Sequence, residues 1–211
     1  MLDTKTVREF IGELGSNSPA PGGGSVAALC ASLSSALSSM VFNLTVGKKA
    51  YEALNDEEKE LVNKYLEISG KEKDEFLDLM NEDTEAFNDL MAAFKMPKDT
   101  DEEKAARSSK IQLGYKAATQ VPLKVARRAY EIYEGILVSV KYGNKNAISD
   151  GGVAALLAQS AIEGAILNVK INLSSIKDEA YTEEIRSELK RLSEDGMKKQ
   201  QEILAIVNQH M

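Results

Sequence analysis

The chain has 211 residues, 43% of them hydrophobic, with 26 basic and 33 acidic side chains and a formal net charge of −7. That length and apolar content suit one domain with a real core, and the acidic balance lacks the basic face that nucleic-acid binding needs. Cys30 is the only cysteine and His210 the only histidine, which excludes an intrachain disulfide, a structural zinc site and a working Ser–His–Asp triad, and fits a reducing compartment.

The start, MLDTKTVREF, has neither the basic n-region nor the apolar h-region of a signal peptide. A first helix is predicted from Asp3 to Leu14, with Asp3 as N-cap, Val7, Phe10, Ile11 and Leu14 as its apolar stripe, and Gly15 as its stop. Ser16 to Ser25 is expected to be irregular, because two prolines and three consecutive glycines oppose regular structure. Val26 to Val46 carries no charge and is long enough to span a bilayer. Its serines, Asn43 and Thr45 fit a helix buried inside a helical assembly better.

Asn55 and Glu58 form a capping box, from which helical spacing runs through Val62, Leu66, Phe76, Met80, Phe87 and Met91 to Pro97, with Gly70 as a candidate bend. Thr100 and Glu103 form a second box. The helix it opens meets Pro122, which lacks a backbone donor and is expected to kink the helix or begin a new one. The pattern carries on to Tyr142-Gly143-Asn144. Ser149 or Asp150 is the expected cap of another largely apolar helix, and a last amphipathic helix is predicted from about Thr182 to Asn208. No stretch alternates at period two, Trp is absent, and aromatic residues are only 6%. The expected fold class is therefore all-α, a bundle of long helices in a single domain over residues 1–211. Two helices that are apolar nearly all round imply that dimerisation or higher assembly completes the core.

The local feature with most chemical potential is Pro21-Gly22-Gly23-Gly24-Ser25, which enters a helix. Glycines let backbone amides approach a ligand, and a helix N-terminus presents unpaired donors with partial positive charge. A loop that merely turns before a helix would read the same way. It is no P-loop: the glycine required five residues before Gly47-Lys48 is Phe42, and no strand precedes it. Gly151-Gly152-Val153-Ala154-Ala155 echoes Gly23-Gly24-Ser25-Val26-Ala27. This is either chance or a sign that two helix N-termini converge on one pocket. Lys48 and Lys49 follow the apolar helix, Glu82-Asp83 lies beside an apolar stripe, and Asp150 stands at a helix entry. Each has an ordinary reading as dipole partner, boundary acid or cap.

The runs SNSPAPGGGSVAAL, MVFNLTVGKKAYE, NEDTEAFNDLMAAFKMP, ATQVPLKVA, GNKNAISDGGVAALLA and GAILNVKINL, in this order, resemble the cyclodeaminase/cyclohydrolase family. That family contains the C-terminal domain of formiminotransferase-cyclodeaminase and stand-alone methenyltetrahydrofolate cyclohydrolases. The resemblance implies an all-helical dimer binding a tetrahydrofolate derivative in a cleft near the subunit interface, with no metal or redox cofactor; charge, cysteine content and the serine-bearing apolar helix point separately to a cytoplasmic protein with no nucleic-acid or membrane partner. It implies either release of ammonia from the formimino compound or hydration of the methenyl compound. Both reactions pass through a tetrahedral carbon between two folate nitrogens, next to a cationic amidinium, so a nearby acid can stabilise charge and shuttle protons. On this match Asp83 and Asp150 are the candidate acid/base residues. Lys49 or Lys48 would orient water, balance the carboxylates or meet the glutamyl tail. Pro21, Gly22, Gly23, Gly24 and Ser25 would anchor the ligand, with Asn144 as a polar reader. Without room for a formiminotransferase domain, the balance tips towards the cyclohydrolase. A non-catalytic helical oligomer that binds anions or folate is the alternative.

Overall fold

The structure, a computed structural model, describes residues 1–211, and all its regular elements are helical. They are α1 (Val7–Leu14), α2 (Gly23–Asn43), the short α3 (Lys49–Glu52), α4 (Asp56–Phe94), α5 (Asp101–Glu131), α6 (Tyr133–Tyr142), a 3-10 turn (Lys145–Ala147), α7 (Ile148–Leu173) and α8 (Glu179–Asn208). The all-α expectation holds.

The two capping boxes form as the spacing requires. Asn55 Oδ1 accepts from the Glu58 amide at 2.9 Å and Thr100 Oγ1 from the Glu103 amide at 3.2 Å, while each glutamate accepts in return from the cap's own amide. α1 differs from expectation. Its N-cap is Thr6, in a capping box with Glu9. Asp3 instead accepts from Asn81 Nδ2 at 2.8 Å, and Asn81 Oδ1 accepts from the Leu2 amide at 2.7 Å, which pins the N-terminal segment to α4. Of the apolar stripe on α1 only Phe10 is buried; Val7 and Ile11 are exposed.

Gly23 and Gly24 are already helical, with Gly22 as N-cap, so the irregular stretch is shorter than its glycine content suggests. A helix tolerates glycine at a modest cost in propensity, and here the absent side chains matter more than the lost propensity. α4 runs through Gly70 unbroken, and α5 runs through Pro122; the chain breaks only at Ile132, between α5 and α6. α7 begins at Ile148 with Ala147 as its N-cap residue, so neither Ser149 nor Asp150 caps it.

α2 and α7 form the centre of the bundle and run antiparallel. Ser34 Oγ donates to the Ala154 carbonyl at 2.7 Å near one part of the pair, and Gly164 faces Ala27 nearer the other end. α4 lies antiparallel to α2 on its other flank, joined by Ser32 Oγ donating to the Lys73 carbonyl at 2.7 Å. Ala27, Ala28, Ala31, Ala154, Ala155, Ala158, Ala161 and Ala165 are all buried along these contacts, and their small size is what lets the backbones approach. Both central helices are long and apolar enough to cross a bilayer, yet 56% of each such window is already buried inside the fold. They are core helices by that measure.

α5 and α6 pack against both central helices, and α8 packs against α7. α2 exposes Leu33 and Met40, its C-cap Leu44 is exposed beside them, and α7 exposes Val153, Leu156, Leu167 and Ile171. These stripes have no partner within one chain.

Candidate active site

Where α2 begins, α4, α5 and α7 enclose a cleft of about 320 Å³, within the range of small-molecule sites. Its polar side is Gly22, Gly23, Gly24, Asp83, Thr84, Asn168 and Asn172; its apolar side includes Phe87, Leu90, Met91, Tyr115 and Ile171. α2, α4 and α7 meet here because α2 runs antiparallel to both α4 and α7, so the start of one meets the later turns of the others, and α5 adds Tyr115 and Ala118.

Ser25 is fully buried, and its hydroxyl donates to Asp83 Oδ2 at 2.9 Å while sharing a 3.3 Å hydrogen bond with Thr84 Oγ1. Burial pushes the Asp83 carboxyl above its ordinary range, opposed by hydrogen bonds from the Ser25 hydroxyl and backbone. The carboxylate fits only because residue 24 has no side chain: a Cβ on Gly24 would lie 2.1 Å from Asp83 Oδ1. Gly23 plays the same part for Asn168, whose Nδ2 would stand 3.0 Å from a Cβ there. Pro21 is buried behind the entry. The glycines therefore make room for side chains from α4 and α7, besides freeing backbone amides at the helix start.

Pro122 has a structural counterpart in the same cleft. A proline has no N–H, so the carbonyl four residues earlier, Ala118, loses its helical donor. Asn172 Nδ2 reaches across from α7 and donates to that carbonyl at 2.9 Å. Two of the resembling blocks, ATQVPLKVA and GAILNVKINL, thus meet through one hydrogen bond.

The remaining sequence candidates lie elsewhere. Asn144 Nδ2 donates to the Leu44 carbonyl, its amide donates to Thr45 Oγ1 at 2.8 Å, and its Oδ1 accepts from the Asn146 amide, so it ties the end of α2 to the start of α7. Asp150 sits in the first turn of α7, and Lys48 and Lys49 are exposed just past the end of α2. α2 has 21 residues, which at 1.5 Å per residue puts this group roughly 30 Å from Gly22. Within one chain the structure gathers Gly22–Ser25 and Asp83 but not Lys48, Lys49, Asn144 or Asp150. The echo at Gly151-Gly152 is explained by packing: a Cβ on Gly151 would meet Val140 Cγ1 at 2.5 Å, and Gly152 faces Val207. Antiparallel α2 and α7 start at opposite ends, so their N-termini do not converge. Thr84, Tyr115, Asn168 and Asn172 were not among the sequence candidates; the signal was present as an i, i+4 asparagine pair inside GAILNVKINL, but no spacing rule marks such a pair as functional.

Fold and site together define an all-helical protein with a hydrogen-bonded, part-buried carboxylate at a glycine-made opening beside an apolar wall. The chain belongs to the formiminotransferase-cyclodeaminase family, whose model matches residues 6–191. It is 41% identical over 192 residues to a methenyltetrahydrofolate cyclohydrolase of Methylorubrum extorquens, covering 91% of this chain and 90% of that protein. It is 34% identical to the formimidoyltransferase-cyclodeaminase of Rattus norvegicus over 93% of this chain but only 35% of the larger protein. A solved structure of formiminotetrahydrofolate cyclodeaminase from Thermotoga maritima superposes with a TM-score of 0.79 at 26% identity, covering 100% of this chain and 97% of that one.

Proposed function

We propose that the chain is a cytoplasmic methenyltetrahydrofolate cyclohydrolase that uses Asp83 as its acid/base group and needs no metal or redox cofactor. The observation that carries the reading is the Ser25–Asp83 pair at the mouth of the cleft. The similarity to a cyclohydrolase of matching length supports the choice of reaction.

The methenyl carbon is electrophilic because it shares a positive charge with N5 and N10. A part-buried carboxylate beside it attracts that cation and can take a proton from the attacking water. The new C–O bond gives a neutral tetrahedral carbinol. Breaking the N5–C bond then leaves the formyl group on N10. One of the two water protons ends on N5, delivered by Asp83, and the other passes to solvent. Ser25 holds the carboxylate in place, and Phe87, Met91 and Tyr115 supply an apolar wall for the ring system.

The bare stripes on α2 and α7 support a homodimer. A two-fold axis crossing α2 near its middle sets the Lys48–Lys49 end of one copy beside the Gly22 end of its partner. In that arrangement Lys48, Lys49, Asn144 and Asp150 complete the partner's cleft, with the lysines suited to the glutamyl tail.

Purified protein is expected to accelerate loss of the methenyl chromophore, with Asp83→Asn reducing the rate by about 10²-fold or more. Release of ammonia from the formimino compound at a higher rate would transfer the assignment to the cyclodeaminase, a reading favoured by the Thermotoga maritima similarity. Turnover of neither substrate would leave a folate-binding module.

A further inference from the structure

Asn168 and Asn172 stand one helical turn apart on the face of α7 that lines the cleft. Each commits one amide N–H to the protein: Asn168 Nδ2 donates to the Gly164 carbonyl at 2.8 Å, and Asn172 Nδ2 donates to the Ala118 carbonyl at 2.9 Å. These bonds settle which end of each carboxamide is which, since an oxygen turned towards a carbonyl would be repelled. Neither Oδ1 accepts a hydrogen bond from the fold. Each asparagine thus commits one N–H to the protein, while both Oδ1 acceptors remain unpaired beside the cavity.

The surroundings narrow what these acceptors meet. No lysine or arginine lines the cleft, and its one ionisable acid, Asp83, is engaged by Ser25. The apolar lining offers Phe87, Met91 and Tyr115, which suit a flat ring. A ligand matching this arrangement is a planar heterocycle with N–H donors on one edge. The reduced pterin ring has such an edge, with a 2-amino group and ring N–H groups.

We infer that Asn168 and Asn172 are the specificity-determining pair of this cleft, accepting hydrogen bonds from the 2-amino and ring N–H donors of the pterin and so fixing the ring's register against Asp83. The inference rests on the folate reading above and adds which residues recognise the ring. Pro122 strengthens the arrangement: by leaving Ala118 without a helical donor, it gives Asn172 a fixed partner and its oxygen a fixed direction.

The test compares binding of 5-formyltetrahydrofolate and its 2-desamino-2-methyl analogue by calorimetry, with cyclohydrolase turnover measured in parallel. Wild type is expected to bind the analogue about 10- to 100-fold more weakly, because the analogue leaves an acceptor unpaired. Asn168→Ala and Asn172→Ala are tested singly with folding checked by circular dichroism, and the variant that removes the acceptor of the 2-amino group is expected to shrink that ratio towards one. A structural role would weaken both ligands equally and leave the ratio intact, which overturns the inference; so would a wild type that does not discriminate or does not bind. Discrimination that depends on the asparagines in a protein without turnover would uphold the pair while removing the proposed reaction.

Discussion

At Gly24 the missing side chain is a catalytic requirement in the proposed reading. An added methyl group would displace the end of the Asp83 side chain and leave the backbone free to stay where it is. Alanine also favours helix more than glycine does. Gly24→Ala is therefore expected to keep or raise the melting temperature while lowering kcat by about 10²-fold, the usual cost of misplacing a reacting group by an ångström. Ser25→Ala separates the hydroxyl from the space it fills. Removing a hydrogen bond that holds the Asp83 pKa down leaves burial unopposed by that bond, so the carboxyl rises further. If the ionised form is the active one, the acid limb of the kcat profile moves to higher pH, and activity falls at pH 6 more than at pH 8. A parallel drop at every pH would contradict a role through Asp83.

At the scale of the elements, α4 carries an acid that works against its own charge. Glu72 is buried, and desolvation raises its carboxyl to about 7, although Arg128 of α5 lies 3.9 Å away and draws it down. The folded state thus holds a proton that the unfolded chain releases near 4.5. Stability from this residue is fully present below that value and is lost as pH rises through about 7. Glu72→Gln mimics the protonated form, so its melting temperature relative to wild type should improve steadily from pH 5 to pH 8. The elements also show what a linear reading reaches. The boxes at Asn55–Glu58 and Thr100–Glu103 were legible because a cap is decided within four residues. Asp3 was misassigned because its partner, Asn81, is distant in sequence. That Pro122 begins no new helix was out of reach for the same reason: whether a proline ends a helix depends on whether some other group satisfies the carbonyl it abandons, and that group is on α7. In the candidate site, Gly22–Ser25 and Asp83 came from resemblance and chemistry, whereas Asn168 and Asn172 became visible only once α5, α2 and α7 were side by side.

For the whole molecule, the central fact is that its two most apolar helices are only half used by one chain. Leu156 and Leu167 are 48% and 66% exposed on α7, an arrangement that monomers rarely sustain over a long stripe. The double variant Leu156→Glu/Leu167→Glu is expected to sediment as a monomer where wild type sediments as a dimer. Because Lys48 and Lys49 sit far from the Gly22 entry in their own chain, the monomer should lose activity as well as partner, with its helical circular dichroism retained. Full activity in a monomer would confine the site to the single-chain cleft.

The bond from Asn172 to Ala118 also bears on how this family can change over time. A chain that replaces Pro122 restores the amide that Ala118 lacks, and residue 172 is then released from its duty as a donor. A chain that alters Asn172 first strands a carbonyl inside the protein. Only the second order is costly at this carbonyl, so change at position 172 is expected to follow change at position 122 across descendants of a common ancestor, although the two lie 50 positions apart on separate helices.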